Sequence, residues 1–306
     1  MAFSKNNIRK SHFDSVFNFV NIFLVSLILV LMLYPLYYTV IASFSDPYKV
    51  LRGEVMFTIK GITLDSYKYI LRETLIWSSY KNSILITLFG TIYALAVTIP
   101  CSYALSRKDL KGRNIITTYF LITMYFSGGM IPAYILIKQL NLLDSIWALI
   151  IPAAFSTYNM IITRTFYQST IPYEFYEAAK IDGASEYQIF LKIVLPLSGA
   201  IMAVVALYVA VGHWNSYFGA LIYINTPKKY PLQLVLRSIL IMNQKIESID
   251  VSHVNPEELE ELMRRQMVAQ TMKFSLVVIA SLPMLIIYPF VQKYFVKGVM
   301  IGGLKG

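Results

Sequence analysis

Charged residues are scarce in this chain of 306 residues, since only 14% are Asp, Glu, Lys or Arg. A soluble protein has nearer a quarter, about 25%. The hydrophobic residues make up 57% of the sequence. They are concentrated in runs of about 20 or more residues, which is the length that crosses a bilayer. An ordinary soluble fold is therefore excluded, and we expect an all-α membrane protein without a soluble domain of ordinary size.

Motifs for chemistry are also missing. The single cysteine, Cys101, lies in a hydrophobic run and excludes an intrachain disulfide. No G-x-x-x-x-G-K-[S/T] motif occurs, and in the glycine-rich end at 298–306 Lys305 is followed by neither Ser nor Thr. We therefore expect no enzyme activity, no catalytic residue, no metal site and no cofactor in this chain. No basic stripe interleaved with aromatic residues indicates nucleic acid.

The hydrophobic runs predict six transmembrane spans in one permease domain at 17–292. A polar segment at 1–16 precedes them and a tail at 293–306 follows. The first run is too long for the hydrophobic region of a cleaved signal peptide. The third span is expected to be interrupted at Ser127-Gly128-Gly129 and Pro132, and the fourth span contains Pro152. The six predicted spans are 17–41, 82–105, 115–137, 142–163, 195–224 and 272–291.

The loop at 106–113 predicts the orientation of these spans. It has four Lys or Arg residues against one Asp, whereas the short loop Lys138 to Asn141 has one basic residue. Short basic loops lie on the cytoplasmic side. Six spans then place both termini in the cytoplasm and the loops 43–81 and 225–270 outside. We expect a short amphipathic helix near Leu64 to Leu71, and another helix starting at Asn255-Pro256.

The polar stretch at 173–196 is predicted to be a helical hairpin. Glu177 to Lys180 favours a helix, which Asp182-Gly183 ends because glycine accepts the left-handed conformation. Ser185 with Gln188 then predicts an N-cap and a second helix. A shaped hairpin between two spans suggests a docking site, although a solvated helical connector would show the same spacing.

These residues resemble the EAA loop of ABC-importer permeases, and the stretch from about Tyr67 onward is similar to the carbohydrate-uptake (MalG-like) group. The matching residues are Glu177-Ala178-Ala179, Gly183, Ile193 and Leu195-Pro196. The resemblance implies the type I ABC importer permease fold and a bacterial cell membrane location. It also implies a homologous second permease, two ATPase subunits that bind ATP and Mg, and an extracellular solute-binding protein.

The resemblance also implies roles for individual residues in coupling to the ATPase. Glu177 would pair with basic residues of the ATPase groove, Ala178 and Ala179 would keep one face flat, and Asp182-Gly183 would form the corner. The tail from Tyr294, with Gly303, is similar to the family C-terminus that reaches into the ATPase dimer interface.

A path for sugars should offer aromatic faces and neutral hydrogen-bonding groups. The spans contain such residues, and their centres contain no acid, Lys or Arg, so His213 is the only titratable candidate there for gradient coupling. We expect His213 to be structural, and Trp214-Asn215 has a counterpart in the family. The candidate path residues are Tyr125, Tyr134, Tyr158, Asn159, Trp214, Asn215, Tyr217 and Phe218.

The segment Tyr230 to Leu240, with the long acidic insert after it, resembles the LplC/YtcP branch of the family, which implies a complex or plant-type oligosaccharide substrate. Two alternatives stay open. The same machinery could serve another solute, such as an amino acid or phosphate. A passive channel or a membrane scaffold would leave the hairpin without a role.

Overall fold

The computed structural model describes residues 12–247 and 271–289. Gly303, the C-terminal tail and the helix start predicted at Asn255-Pro256 lie outside these ranges. Within the ranges the chain is mostly helical and has no β-strand. The helices are α1 His12–Ser43, α2 Pro47–Leu51, α3 Asp65–Arg72, α4 Thr74–Ser106, α5 Arg113–Tyr125, α6 Met130–Gln139, α7 Trp147–Ile150, α8 Thr157–Thr170, α9 Tyr173–Ile181, α10 Glu186–Leu197, α11 Gly199–Asn215, α12 Phe218–Tyr223, α13 Leu232–Glu247 and α14 Thr271–Pro289.

Three of these helices, α1, α4 and α14, are long and apolar enough to cross a membrane. Two further spans are possible if each of two bent pairs counts as one: α5 and α6 meet at 111°, and α10 and α11 meet at 76°. The break that the sequence predicts at 127–129 occurs, since 126–129 is not helical. No break occurs at Pro132, because α6 continues through it.

The structure differs from the predicted topology in several places. The predicted span 195–224 is interrupted at Ser198 and again at 216–217. The segment 142–163 is not one helix, because α7 ends at Ile150 and α8 begins only at Thr157. α4 begins at Thr74, within the predicted outer loop 43–81. α13 occupies much of the predicted loop 225–270, where we expected no helix before residue 255. The helix expected near Leu64 to Leu71 is confirmed as α3.

The described residues form two compact units. The first contains 12–70, 243–247 and 271–279, and the second contains 71–242 and 280–289. In the first unit, the end of α1 packs through Ile41 and Ala42 against Val50 and Val55. Between 13 and 36 the side chains of α1 are exposed all round, as a helix that faces lipid or a partner requires.

The second unit is built around α4, which packs mainly against α8 and α11. Gly90 makes close packing possible: a Cβ atom on this glycine would lie 2.4 Å from Nε2 of His213. The imidazole of His213 therefore occupies the space that any side chain at position 90 would need. Small residues allow helices in membranes to approach closely in this way.

Asp144 anchors the segment that leads into α13. Its Oδ1 accepts hydrogen bonds from the backbone N–H groups of Asn225 at 3.0 Å and Thr226 at 2.9 Å, and its Oδ2 pairs with Lys229 at 2.6 Å. Its side chain also accepts a hydrogen bond from the Thr226 hydroxyl at 2.8 Å, so one carboxylate joins three residues of the segment.

Candidate functional site

The stretch predicted to be a hairpin folds as two helices around a glycine corner. Gly183 has φ of +77°, in the left-handed region where glycine has no steric cost. The N–H of Ala184 donates to the carbonyl of Ala179 at 2.9 Å, and the N–H of Gly183 donates to Lys180 at 3.0 Å. This pair of bonds is a Schellman motif. The prediction that Asp182-Gly183 ends the first helix is therefore confirmed.

The second helix of the hairpin begins with the predicted capping box. The hydroxyl of Ser185 accepts a hydrogen bond from the backbone N–H of Gln188, and the Gln188 side chain accepts one from the N–H of Ser185 at 2.9 Å. Two otherwise unpaired N–H groups are satisfied in this way. A π-helical turn, Phe190–Val194, follows within α10.

An aromatic cluster fixes the hairpin on the ends of α4 and α8. Tyr103 of α4 lies edge-on to Tyr167 of α8 at 6.3 Å between ring centroids, and its ring lies 5.1 Å from Phe190 of α10. Tyr176 and Ile189 contribute buried side chains from the two helices of the hairpin. Because both helices bury side chains in one cluster, the corner at Gly183 projects from a packed base.

Four charged residues form a second connection at the same base. Arg107, at the end of α4, donates to Asp109 at 2.9 Å and to Glu186 at 3.2 Å. Lys180 of α9 lies 3.1 Å from Asp109 and 3.0 Å from Glu186. The loop at 107–112 and both helices of the hairpin are thus joined by one ion-pair network.

The burial of Arg107 makes this network more than a surface ion pair. Its side chain is only 6% exposed, and the guanidinium carbon lies 4.3 Å from the centroid of the Tyr176 ring. The hydrogen bond from Arg107, with a further one from Lys180, lowers the pKa of Asp109 to about 2. The same carboxylates, Glu186 first, raise the pKa of Lys180. Asp109 and Lys180 are therefore both charged at neutral pH.

Sequence reasoning missed this network. The loop at 106–113 indicated only the orientation of the spans, and its partners Lys180 and Glu186 lie far along the chain. The sequence feature that could have indicated the network is Asp109, because it is an acidic residue among the basic residues of a short loop.

The corner of the hairpin exposes apolar side chains. Ile181 is 86% exposed and Tyr187 is 71% exposed, on either side of Gly183. Charged residues surround them in the sequence, including the exposed Glu177 and Asp182, neither of which makes an ion pair with any described residue. An exposed apolar patch within a polar surface is typical of a protein interface.

The two alanines of the predicted coupling motif have different positions. Ala178 is exposed, whereas Ala179 is buried in the aromatic cluster at the base of the hairpin. The expectation that the two alanines keep one face flat enough for close approach stays a prediction, and of the two only Ala178 is open to a partner in this chain. The methyl group of Ala179 lines a cleft of about 380 Å³ that also contains Asp182 and Gly183.

The candidate path residues are divided between a cavity and exposed surfaces. Asn159 is 8% exposed and lines a cavity of about 410 Å³ together with His213 and Ser216. Nε2 of His213 has no hydrogen-bond partner among the residues described. The other candidates, Trp214 excepted, are exposed in this single chain: Tyr125, Tyr134, Tyr158, Asn215, Tyr217 and Phe218.

Trp214 differs from the other candidates, because it is 3% exposed. Its indole N–H donates to the carbonyl of Ala280 at 3.1 Å, and its ring lies 6.1 Å from that of Tyr80. The structure therefore places Trp214 in helix packing and not beside Asn159 in the cavity.

Hydrophobic helices with a structured polar hairpin between them define a membrane protein of several helices, and comparison with known proteins gives its family. The family model of "Binding-protein-dependent transport system inner membrane component" matches residues 75–301. The chain belongs to this family. As the sequence predicts, it is a permease component of ABC importers in the bacterial membrane and not an enzyme.

Individual relatives agree with this assignment. Protein LplC of Bacillus subtilis (strain 168) is 40% identical over 291 residues, which are 95% of this chain and 95% of LplC. The polygalacturonan/rhamnogalacturonan transport system permease protein YtcP of the same organism is 38% identical over 276 residues, 89% of this chain and 92% of YtcP. The resemblance to the LplC/YtcP branch is therefore confirmed.

A solved structure matches the fold. It is the crystal structure of a bacterial ABC transporter involved in the import of the acidic polysaccharide alginate. The matching chain has a TM-score of 0.81 and 33% sequence identity, and the match covers 93% of this chain and 98% of that chain.

Proposed function

We propose that this chain is the transmembrane permease subunit of an ATP-driven importer of oligosaccharides, and that the hairpin at 173–196 couples it to the ATPase. Its membership of the family and the names of its relatives support the transport role. The chain would have six spans with both termini in the cytoplasm. It would form half of the translocation path and work with a homologous second permease, two ATPase subunits that bind ATP and Mg, and an extracellular solute-binding protein.

The exposed side chains of Ile181 and Tyr187 are the observation that carries the coupling role. The corner at Gly183 holds these apolar groups away from a base that the aromatic cluster and the Arg107 network fix. A connector in water would gain nothing from exposing them. An ATPase groove that buries them would gain roughly 25 cal/mol for each Å² removed from water. Glu177 and Asp182, both free of ion pairs within the described ranges, would face basic residues of that groove, and Gly303 would contact the ATPase dimer.

For the path, we propose that Asn159 contributes a hydrogen-bonding group in the cavity beside Ser216. The exposed aromatic side chains would stack on sugar rings, and Asn215 would bind hydroxyl groups. Trp214 would support the path indirectly by its bond to Ala280.

Among oligosaccharides, we propose that the transported substrate is acidic and not neutral. The guanidinium carbon of Arg237 lies 4.9 Å from the centroid of the Tyr217 ring, beside a proposed path residue. A guanidinium binds carboxylates such as those of uronic acids in bidentate geometry. The solved structure that matches this chain is of a transporter involved in the import of the acidic polysaccharide alginate, which supports the proposal.

Uptake by Arg237→Gln separates these two substrate classes. If the substrate is acidic, the variant takes up an acidic oligosaccharide more weakly and a neutral one of the same length unchanged. An equal effect on both would exclude a role of Arg237 in recognising charge.

The coupling role is tested by co-purification of the tagged chain from its native membrane, followed by mass spectrometry. We expect a second permease and an ATPase with the natural chain, and loss of the ATPase alone with Ile181→Ser/Tyr187→Ser. The matched control is Ile62→Ser, since Ile62 is 81% exposed in the segment predicted to be outside. Unchanged ATPase recovery with the double variant would contradict the proposal.

A further inference from the structure

A second cavity, of about 510 Å³, lies beside the base of the hairpin. The end of α4, the start of α5, the end of α8 and the start of α9 form its walls. Three basic residues line it, Arg107, Lys108 and Arg113, against a single acidic residue, Glu174. Ser106, Gln168 and Ser169 add neutral hydrogen-bonding groups.

The basic residues are only partly satisfied by the chain itself. Lys108 and Arg113 make no ion pair with any residue that the structure describes. Lys108 lies over the Tyr173 ring, with Nζ 5.3 Å from the centroid. Arg107 is 6% exposed, and although its Nε and Nη2 have acidic partners, Nη1 is buried and has no hydrogen-bond partner within the described ranges.

The start of α5 strengthens the positive potential at this cavity. The helix begins at Arg113, and the residue before it, Gly112, has no side chain that could accept from the first N–H groups. The N-terminal end of this helix of 13 residues therefore carries a partial positive charge without a side-chain cap, although the N–H of Arg113 donates to the carbonyl of Leu110 at 3.4 Å.

We propose that this cavity binds a phosphate group, presented either by the head group of an anionic phospholipid or by a free phosphorylated solute. Guanidinium and ammonium groups with a helix N-terminus are the donors that phosphate prefers in proteins. The basic loop 106–113 is predicted to lie on the cytoplasmic side, where basic pockets between helices bind lipid head groups. The site needs no partner subunit and does not depend on the proposed transport role.

The test measures the thermal unfolding midpoint of the purified full chain while inorganic phosphate is titrated at constant ionic strength, with chloride as the compensating anion. A parallel arm compares nanodiscs of phosphatidylcholine with nanodiscs that also contain phosphatidylglycerol. We compare Lys108→Gln/Arg113→Gln with Lys111→Gln/Lys138→Gln, which removes the same charge at two exposed positions outside the cavity. If Lys108→Gln/Arg113→Gln fails to fold, the single variant Lys108→Gln is compared with the control in its place.

We expect a phosphate-containing probe to raise the midpoint of the natural chain and of the control. In Lys108→Gln/Arg113→Gln the apparent affinity should fall at least tenfold. If phosphatidylglycerol raises the midpoint and inorganic phosphate does not, the ligand is a lipid head group. If inorganic phosphate raises the midpoint, the site is open to free phosphorylated solutes. No response to either probe would overturn the proposal, and so would an equal loss in both double variants.

Discussion

The guanidinium of Arg107, at the end of α4, lies 3.2 Å from the carboxylate of Glu186 in the second helix of the hairpin. The two residues are 79 positions apart in the sequence. The contact therefore ties the end of a predicted membrane span directly to the surface that is proposed to receive the ATPase. The arginine is buried between Asp109, Glu186 and Tyr176. Movement of the hairpin relative to the end of α4 therefore requires these contacts to rearrange.

Replacing Arg107 by alanine should loosen the hairpin without unfolding the helices. The carboxylates of Asp109 and Glu186 would lose charged donors, which costs about 1–3 kcal/mol of local stability. We expect faster amide hydrogen exchange at 173–197 in Arg107→Ala. The control Lys111→Ala removes an exposed charge from the same loop. Identical exchange in the natural chain and both variants would show that the network does not hold the hairpin.

The conformation of the corner can be tested with a matched pair of glycines. Gly183 and Gly53 both have positive φ, +77° and +69°, and both have open space where a Cβ would be. Both also follow a helix in the same hydrogen-bond pattern. Alanine at either position should cost about 1–2 kcal/mol of strain.

Only the Gly183 substitution should impair coupling. We expect Gly183→Ala to lower the substrate-stimulated rate of ATP hydrolysis by the assembled complex. Gly183→Pro should abolish this stimulated hydrolysis, while the chain still inserts into the membrane. Gly53→Ala should leave hydrolysis unchanged. Equal activity in Gly183→Pro and the natural complex would remove the corner from the coupling mechanism.

The charge of Asp109 gives the network a defined pH dependence. Its pKa is lowered from 3.8 to about 2, chiefly by the hydrogen bond from Arg107. Stability from a lowered pKa is fully present above the ordinary value and is lost as the pH falls from about 4 towards 2. Carbon-13 NMR of the labelled Asp109 carboxyl group should show this titration, and the midpoint should rise in Arg107→Ala. A midpoint near 3.8 in the natural chain would contradict the ion pair.

The contact between Gly90 and His213 predicts a steric penalty. In Gly90→Ala the new methyl group would overlap the imidazole, and overpacking of this kind costs about 1–3 kcal/mol. We expect a lower thermal unfolding midpoint, with part of the loss recovered in Gly90→Ala/His213→Ala. Gly212→Ala, where no atom lies within 4 Å of the added carbon, is the control. A stable Gly90→Ala protein would show that α4 and α11 are not in close contact.

The hairpin was predictable from sequence because its signals are local. A glycine with positive φ and a serine that caps a helix act within a few residues, and both features occur as expected. The break at 127–129 in the third predicted span was predictable for the same reason, whereas the break at 151–156 in the fourth was not predicted. The 111° angle between α5 and α6 was not, because the direction of the chain after a break depends on packing.

Features that depend on tertiary contacts could not be predicted from local patterns. Ala178 and Ala179 have the same helix propensity, and only the aromatic cluster decides which of them is buried. The role of Trp214 in the path stays a prediction, and its hydrogen bond to the carbonyl of Ala280, 66 residues away, had no signal in the local sequence. The ion pairs of Arg107 likewise join residues that no local pattern connects.

Site-directed crosslinking at the corner tests the central claim most directly. In a Cys101→Ser background, Ile181→Cys places the one thiol of the chain at an 86% exposed position on the hairpin, and Ile62→Cys gives the control. If the hairpin docks on the ATPase, a short bifunctional reagent applied to native membranes should join the Ile181→Cys chain, but not the Ile62→Cys chain, to an ATPase subunit. Efficient labelling at position 181 without any ATPase adduct would contradict the coupling role.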